Sequence, residues 1–433
     1  MLVNYDAEAA VIGILLSNEQ AVEELKLVPE HFGTSKFGIT LKAIKDCMHK
    51  GQPVELVSVV TELGEKLTMV GGLVELAKLI EDAPPTTNFP FYQDIVFNSA
   101  KARAARMYAN DLANLENSSE ANVKISELIA KLENLQEHGT KKKRSLADMI
   151  LAVDAKIAAG RQGMTGIPTG FREMDKMTDG WQNKDLIVVG ARPSVGKTAF
   201  AVNMADNMLR HTNDVCVHIF SLEMPDEKIL ERLYSKHAMI DAQRLRTLQL
   251  NDSDLEKYGQ ATAFYGGMVD RLHIHDQFGM TPQEIRVEVR KVQRKFPEFR
   301  HIVIIDYLTI MGYQGDKDRP DLQVTENTES LKQMAKELNL PVIVLAQLSR
   351  GVEGRQDKRP KPSDLRESGG IEQIADVIAM LYRDDYYDRE TENKNIIEII
   401  FGKHRNGPCG TVELAFVKEY GLFANLERRS DAS

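Results

Sequence analysis

The segment GARPSVGKT, residues 190–198, has the residue types and spacing of a loop that binds the phosphate groups of a nucleotide. It directly follows the apolar run DLIVVG and precedes the helical pattern AFAVNMADNMLR, which is the strand–loop–helix order that such a loop requires. Lys197 would supply a positive charge to the β and γ oxygens, and the Thr198 hydroxyl would ligate Mg²⁺. The predicted nucleotide-binding residues are Ala191, Arg192, Pro193, Ser194, Val195, Gly196, Lys197 and Thr198.

Three polar residues that follow later apolar runs are candidates to complete this site. Asp306 ends the run HIVIID and would hold Mg²⁺ through water. The next residue is Tyr307 rather than Glu, so the carboxylate that activates the attacking water must come from elsewhere. Glu223 is our candidate for that base, and its structural alternative is a cap of the following helix. Gln347 would sense the γ-phosphate, although its spacing equally fits a polar residue at the end of a surface strand.

A basic segment follows Gln347. Residues 350–366 contain six basic and three acidic side chains, and frequent Gly and Pro indicate a long, mobile loop of a length that is usually functional or disordered. No aromatic residue lies among them, which disfavours a base-stacking platform. Backbone N–H groups near Gly369 and Gly370, together with Arg366, could grip a phosphate backbone. Charge alone favours a solvated loop.

A second pair of cations lies in GKHRNGP, residues 402–408. Lys403 and Arg405 are two positions apart, so on a strand both would share one face. They either lie on the protein's own surface or reach the γ-phosphate that a neighbouring subunit binds. In the second arrangement they would stabilise phosphoryl transfer as an arginine finger does.

The elements that must position these residues fall into two regions. Residues 1–140 have apolar residues at helical spacing, which predicts an α-helical N-terminal domain. Residues 141–164 begin with a basic run and continue into an amphipathic helix at 145–160, so we predict a linker. From 165 to 433, short apolar runs alternate with helical patterns, which predicts an α/β domain with a mostly parallel sheet flanked by helices. The predicted strands lie at 185–191, 215–223, 301–311, 341–348, 376–383, 395–402 and, as a pair, 411–426.

Composition limits the classes of function. The 433-residue chain has a net charge of −9, which excludes a protein that coats nucleic acid through its overall charge. It does not exclude one that threads a strand through a locally basic hole. The three cysteines are widely spaced and form no CxxC or Cys/His cluster in the sequence, so we expect neither a disulfide framework nor a zinc site. With no secretory signal and no membrane-length apolar run, we expect a cytoplasmic protein without membrane contact.

Taken together, the motifs resemble those of the DnaB-type replicative DNA helicases of bacteria and phages. The resemblance is carried by GARPSVGKT, FSLEMP, VIIDYL, LAQLSR, DLRESGGIEQIADVIAMLYRDDYY and GKHRNGP, in this order, and extends over essentially the whole chain. It implies a RecA-like ATPase domain at 165–433, preceded by a collar domain and a linker helix. It also implies a homohexameric ring that hydrolyses ATP with Mg²⁺, moves 5′ to 3′ on single-stranded DNA and unwinds the duplex at the replication fork.

The resemblance also implies roles for individual residues. The catalytic Glu of the family corresponds to Glu223, the Mg²⁺-binding Asp to Asp306 and the γ-phosphate sensor to Gln347. The trans-acting cations correspond to Lys403 and Arg405. The DNA-gripping loop corresponds to Arg366, Glu367 and Gly369. The collar of the family engages primase and a loader places the ring on DNA, but no residue of the N-terminal domain can be assigned to either contact.

Two other classes of ATPase share part of this pattern. A RecA-type recombinase has the same core, but it has no place for the linker helix or the helical N-terminal region. A non-translocating P-loop regulator would leave the basic segment at 350–370 unused. The helicase is therefore the interpretation that uses every motif.

Overall fold

The computed structural model describes most of the chain in two compact units, residues 1–145 and 146–433. The described residues are 3–18, 20–114, 124–125, 128, 131–132, 146–160, 163–308, 311–312, 320–365, 368–388 and 390–426. Among these residues, no helix is both long enough and apolar enough to cross a membrane.

The N-terminal unit is helical, as the apolar spacing predicts. Its helices are α1 (Tyr5–Ser17), α2 (Gln20–Glu23), α3 (Ser35–His49), α4 (Leu56–Leu63), α5 (Gly72–Glu81) and α6 (Phe89–Ala113). The centre of its core is α1, whose apolar side chains at 11, 12, 14 and 15 are fully buried. The pattern at 59–67 predicts one helix, but α4 ends at Leu63 because Gly64 has a φ of 50° and the chain continues as a 3₁₀ helix. Most of the predicted helix at 123–138 lies outside the described residues.

Helix α7 (Leu146–Ala159) opens the second unit. It corresponds to the amphipathic helix predicted at 145–160. Its apolar side chains are exposed at Leu146, Met149, Ile150, Leu151, Val153 and Ile157. An exposed apolar stripe of this kind marks a contact surface, because it gains free energy when it is removed from water.

In the part of the chain that the structure describes, nine strands form one sheet in the order β3-β2-β4-β5-β1-β6-β7-β8-β9. The first six in this order are parallel, and β7, β8 and β9 continue the sheet antiparallel. This confirms the predicted mostly parallel sheet. The strands are β1 (Leu186–Ala191), β2 (Val215–Ser221), β3 (Leu272–His275), β4 (Arg300–Asp306), β5 (Val342–Gln347), β6 (Val377–Tyr382), β7 (Ile396–His404), β8 (Gly410–Val417) and β9 (Leu422–Asn425).

Helices cover both faces of the sheet. Alternate residues of β1 point to opposite faces, and both sets are apolar and buried. Ile187 and Val189 pack into one apolar core with helix α9 (Lys197–His211), whereas Leu186 and Val188 pack into a second core with α13 (Pro282–Lys295) and α14 (Pro320–Leu338). The helices of this unit, after α7, are α8 (Arg172–Thr178), α9 (Lys197–His211), α10 (Asp226–Ala238), α11 (Ala242–Arg246), α12 (Asp252–Gly266), α13 (Pro282–Lys295), α14 (Pro320–Leu338), α15 (Ser368–Ile374) and α16 (Asp384–Tyr387).

Strand β3 is the one element of the sheet that the sequence pattern did not predict. Its four residues, LHIH, alternate apolar side chains with histidines and are too few to stand out from the flanking sequence. It pairs with β2 at the edge of the sheet. Consequently, the histidines of β3 lie beside the side chains of β2.

A buried ionic network joins α9, α10 and α12 at Asp206, which is fully buried. Asp206 accepts hydrogen bonds from Tyr265 Oη at 2.6 Å and His237 Nδ1 at 2.9 Å, and it pairs with Lys236 Nζ. Burial alone would raise the pKa of Asp206, but the hydrogen bond from His237 and the charge and hydrogen bond of Lys236 lower it to about 2. Its contribution to stability is therefore present above the ordinary pKa near 3.8 and is lost as the pH falls toward 2.

We expect Asp206→Asn to lower the free energy of unfolding by about 3–5 kcal/mol, because it leaves the Lys236 charge buried without its partner. Urea unfolding at neutral pH measures this loss. Glu231→Gln is the matched control, since it breaks the exposed pair of Glu231 with Lys228 on α10 and should cost less than about 1 kcal/mol. The double variant Asp206→Asn/Lys236→Met should recover part of the loss. A double variant that is no more stable than the single one would contradict the interpretation of an uncompensated charge.

Candidate functional site

The predicted phosphate-binding loop connects β1 to α9. Strand β1 ends at Ala191 and the 15-residue helix α9 begins at Lys197. Gly196 has a φ of 121°, and a Cβ at this position would lie 3.3 Å from the ring of Phe423, so only glycine fits without strain. The loop therefore brings its backbone N–H groups to the positive end of a long helix, where an anion is stabilised.

A cleft of about 440 Å³ opens above this loop. It is bounded by the loop and by the carboxyl ends of β2, β4 and β5, where ligands bind in parallel α/β sheets. Of the predicted nucleotide-binding residues, Val195 is the one outside the cleft, since its side chain is buried in the core. The cleft is lined by Ala191, Arg192, Pro193, Ser194, Gly196, Lys197, Thr198, Ala199, Glu223, Met224, Arg232, Tyr307 and Gln347.

Asp306, the last residue of β4, contacts the first two residues of α9. The Thr198 hydroxyl donates a hydrogen bond to Asp306 Oδ2 at 2.5 Å, and Lys197 Nζ lies 3.3 Å from Oδ1. Asp306 is almost fully buried, and within the described residues its Oδ1 accepts no hydrogen bond. A hydroxyl next to a carboxylate supplies oxygen ligands of the kind that Mg²⁺ binds. The residues present therefore fit a magnesium ion.

Lys197 is held inside the cleft. Burial lowers the pKa of its ammonium group, against the opposing effect of the negative charges of Asp306 and Glu223. Its Nζ also lies 3.9 Å from the centre of the Tyr307 ring. Lys197 lines the cleft, so its ammonium group is within the space that a nucleotide's phosphates would occupy.

Glu223 lies two residues beyond the end of β2 and faces the cleft. The cap residue of α10 is Pro225, and the structure gives this helix no side-chain cap hydrogen bond. The capping alternative for Glu223 therefore finds no support. Arg232 of α10 also lines the cleft, and sequence reasoning missed it because no motif surrounds it.

Gln347 is the last residue of β5 and is paired in register with Ala191 at the end of β1. The chain that follows it is tied back to the phosphate-binding loop by Arg192. The Arg192 guanidinium donates to Leu348 O at 2.8 Å and forms an ion pair with Glu353 at 2.5 Å. A movement of Gln347 would therefore shift both the phosphate-binding loop and the segment that follows Gln347.

The basic segment after Gln347 is mostly irregular, with short 3₁₀ turns at Arg350–Gly354 and Pro362–Asp364. Two of its cations are paired within the chain, Arg355 with Asp364 at 2.6 Å and Arg359 with Glu398 at 2.6 Å. These pairs offset part of the positive charge of the segment.

The structure places only part of the predicted DNA-gripping group. Arg366 and Glu367 lie outside the described residues. Gly369 is exposed near the start of α15, and open space surrounds the position of a Cβ there. Gly370 is different, since a Cβ would approach Thr325 Oγ1 within 2.3 Å, so this glycine allows α15 to pack closely on α14.

Lys403 and Arg405 do not line their own chain's cleft. Lys403 Nζ donates to Glu372 O at 2.5 Å, and Arg405 Nη2 donates to Gln373 O at 2.7 Å. Both cations therefore bind carbonyl groups in the last turn of α15, the negative end of that helix. Arg405 also pairs with the buried carboxylate of Asp376 at 3.1 Å and remains about half exposed.

Comparison with known proteins gives consistent matches over both units. Residues 1–98 match the DnaB-like helicase N terminal domain, and residues 166–425 match the DnaB-like helicase C terminal domain. The replicative DNA helicase DnaC of Bacillus subtilis is 42% identical over 99% of this chain and 96% of its own length. The replicative DNA helicase DnaB of Geobacillus stearothermophilus is 41% identical over 98% of this chain and 95% of its own length.

Solved structures agree with these matches. A DnaB-like replicative helicase, studied with its interactions with primase, superposes with a TM-score of 0.80 at 38% identity, covering 98% of this chain and 100% of the other. An ATPase domain solved by itself gives a TM-score of 0.63 at 43% identity, covering 66% of this chain and 100% of that domain.

We expect Lys197→Ala to reduce ATP hydrolysis by about 100-fold or more, because it removes the cation that the cleft directs at the phosphates. Steady-state phosphate release measures this effect. Lys228→Ala is the matched control, since Lys228 is exposed on α10 and pairs only with Glu231 there. Retained hydrolysis in Lys197→Ala, with an unchanged oligomer, would exclude this loop as the site.

Proposed function

The chain belongs to the DnaB-like family of replicative DNA helicases and is an ATP-dependent DNA helicase, and we propose that six copies form a ring that moves 5′ to 3′ on single-stranded DNA. The observation that carries this proposal is the convergence of one set of side chains on the cleft. Lys197 and Thr198 come from the loop, and Glu223, Asp306 and Gln347 come from three strand ends. The proposed division of labour is a collar at 1–140, a linker at 141–164 and a motor at 165–433.

We propose that each residue of the cleft acts on a different part of ATP. Backbone N–H groups of residues 194–198 and the Lys197 ammonium bind the β- and γ-phosphates. Thr198 and Asp306 would hold Mg²⁺, which supplies charge neutralisation at the phosphate oxygens when bound. The exposed carboxylate of Glu223 accepts a proton from the attacking water. The Gln347 amide contacts the γ-phosphate and loses this contact when the phosphate leaves.

Lys403 and Arg405 are proposed to act in the cleft of a neighbouring subunit. Their position outside their own cleft and the partial exposure of Arg405 support this assignment. A cation that enters the neighbour's cleft stabilises the charge that builds up on the transferring phosphoryl group. Both cations also bind α15 of their own subunit. Hydrolysis in one subunit would therefore move the proposed DNA-contacting helix of the neighbouring subunit that supplies the cations.

The DNA contact is proposed to consist of Arg366, Glu367 and Gly369 at the start of α15. Backbone N–H groups there would bind the phosphates of a strand without reading its bases. A ring would bring six copies of the net-positive segment 350–366 to one channel. The negative charge of the whole chain then discourages non-specific binding outside the channel.

The N-terminal unit and α7 are the proposed contact sites for other proteins and for neighbouring subunits. The solved DnaB-like replicative helicase similar to this chain interacts with primase, and we propose the same for this collar. The exposed apolar stripe of α7 is proposed to dock on a neighbouring subunit. A loader would place the ring on DNA, and the site of action would be the cytoplasm of a bacterium or of a phage-infected cell.

A strand-displacement assay tests the whole proposal. We expect unwinding of a forked duplex that carries a 5′ single-stranded tail, in the presence of ATP and Mg²⁺, and none without the tail. Lys197→Ala is the negative control. ATP hydrolysis that DNA does not stimulate would favour the P-loop regulator, and strand exchange between homologous DNAs would favour the recombinase.

Mixing experiments test the trans role of Arg405. We expect Arg405→Ala, added in increasing proportion to the unmodified protein, to depress ATP hydrolysis more steeply than dilution, because each altered subunit impairs its neighbour's cleft. Arg246→Ala, an exposed cation of α11, is the control and should leave the rate unchanged. A strictly proportional loss with Arg405→Ala would exclude a finger shared between subunits.

A further inference from the structure

A cluster of metal-ligating side chains lies in the sheet, away from the ATP cleft. Cys216 and His218 are two positions apart on β2 and therefore share one face. His301 of β4 is the cross-strand partner of Cys216. All three are buried, with exposed fractions of 0%, 0% and 4%. The sequence shows no metal motif because His301 lies about 85 positions after Cys216. It comes close to Cys216 and His218 only when β4 pairs with β2.

The three ligand atoms lie close enough together to share a single metal centre after small adjustments. Cys216 Sγ lies 3.7 Å from His218 Nε2, and His218 Nε2 lies 3.0 Å from His301 Nδ1. All three atoms fall within 4.8 Å of one another. Ligand atoms around one tetrahedral Zn²⁺, at bond lengths of about 2.0–2.3 Å, are roughly 3.3–3.6 Å apart. Small side-chain adjustments would bring the three atoms to these distances.

The surrounding contacts orient His301 for metal binding. His301 Nε2 lies 3.0 Å from the Phe296 carbonyl, which can only accept a hydrogen bond, so the ring proton is on Nε2. The Nδ1 atom that faces the cluster therefore carries a lone pair. A backbone carbonyl that fixes the tautomer in this way is the usual outer contact of a metal-binding histidine.

Nε2 is the ring nitrogen of His218 that faces the cluster. The other nitrogen, Nδ1, is buried and has no hydrogen-bond partner in the described part of the chain, whether Nε2 contacts His301 or a metal ion. His273 of β3 stacks on His218 with ring centres 5.3 Å apart, and its buried Nε2 likewise has no partner among the described residues.

We propose that Cys216, His218 and His301 bind one Zn²⁺ ion. One thiolate and two imidazoles are borderline ligands that favour zinc over Mg²⁺ or Ca²⁺. Binding exchanges the thiol proton of Cys216 for the metal ion and releases it to solvent. His273, whose ring stacks on that of His218, is a further imidazole beside the cluster. The ion would join β2 to β4 near the beginning of both strands, whereas Glu223 and Asp306 lie at their opposite ends.

Because the ligands are buried, the ion would enter as the chain folds and leave slowly. The first test therefore measures zinc by mass spectrometry in the full chain, produced without a histidine tag in zinc-supplemented cells and dialysed against EDTA. We expect one zinc per chain, and Cys216→Ala or His301→Gln to reduce the zinc content by more than about tenfold. His211→Gln, a histidine at the end of α9, is the matched control and should retain the metal.

A second measurement does not require any cluster variant to fold. The chain has three cysteines, so Cys47→Ala/Cys409→Ser leaves Cys216 as the only thiol. This variant, produced with Co²⁺, should show a thiolate-to-cobalt charge-transfer band and the visible spectrum of tetrahedral cobalt. A chain without zinc from supplemented cells, zinc retained in Cys216→Ala and His301→Gln, or the absence of the charge-transfer band would each overturn the proposal and leave a hydrogen-bonded cluster. The ATP cleft is not involved in either measurement.

Discussion

The burial of both faces of the parallel strands is the constraint on which the rest of this structure depends. Strands such as β1 are apolar at every position, so helices must cover both faces before the sheet is stable in water. Each connection then returns to the same edge, and the carboxyl ends of β1, β2, β4 and β5 meet there. Polar side chains are tolerated at this edge because the strands end. The cleft therefore forms at the carboxyl edge of the sheet because helices cover both of its faces.

This constraint also explains what the sequence could predict. Continuous apolar runs predicted the parallel strands, and the polar residues that end them, Asp306 and Gln347, were recognised because they break those runs. The contacts of Arg192 with Glu353 and of Asp206 with Lys236 were not predictable, since no local pattern indicates which distant side chains will pair. The Cys216 cluster escaped for the same reason, together with the short strand β3. Glu223 was predicted as the base from its position after an apolar run, and the family resemblance implied the same role; the structure places it at the cleft.

Two sets of contacts connect the phosphate-binding loop and the end of β7 with the segments that we propose to bind DNA. Arg192 ties the phosphate-binding loop to the turn at Glu353, and Lys403 with Arg405 ties the end of β7 to α15. Neither set needs a flexible hinge, because each consists of a long cationic side chain bound to a carboxylate or to the end of a helix. Loss of the γ-phosphate could therefore be communicated through small movements of packed elements.

The contact between Gly196 and Phe423 also bears on the order in which the chain is synthesised. Helix α9, which presents the phosphate-binding loop, is held by β9 through hydrogen bonds of Asn203 with Gly421 O at 2.7 Å and with the Phe423 amide at 2.9 Å. These partners leave the ribosome about 220 residues after α9. A nascent chain therefore contains the whole phosphate-binding loop long before Gly421 and Phe423, which hold α9 in place, have been synthesised. The hydrogen bonds that hold α9 against β9 therefore form only after residues 421–423 have been synthesised.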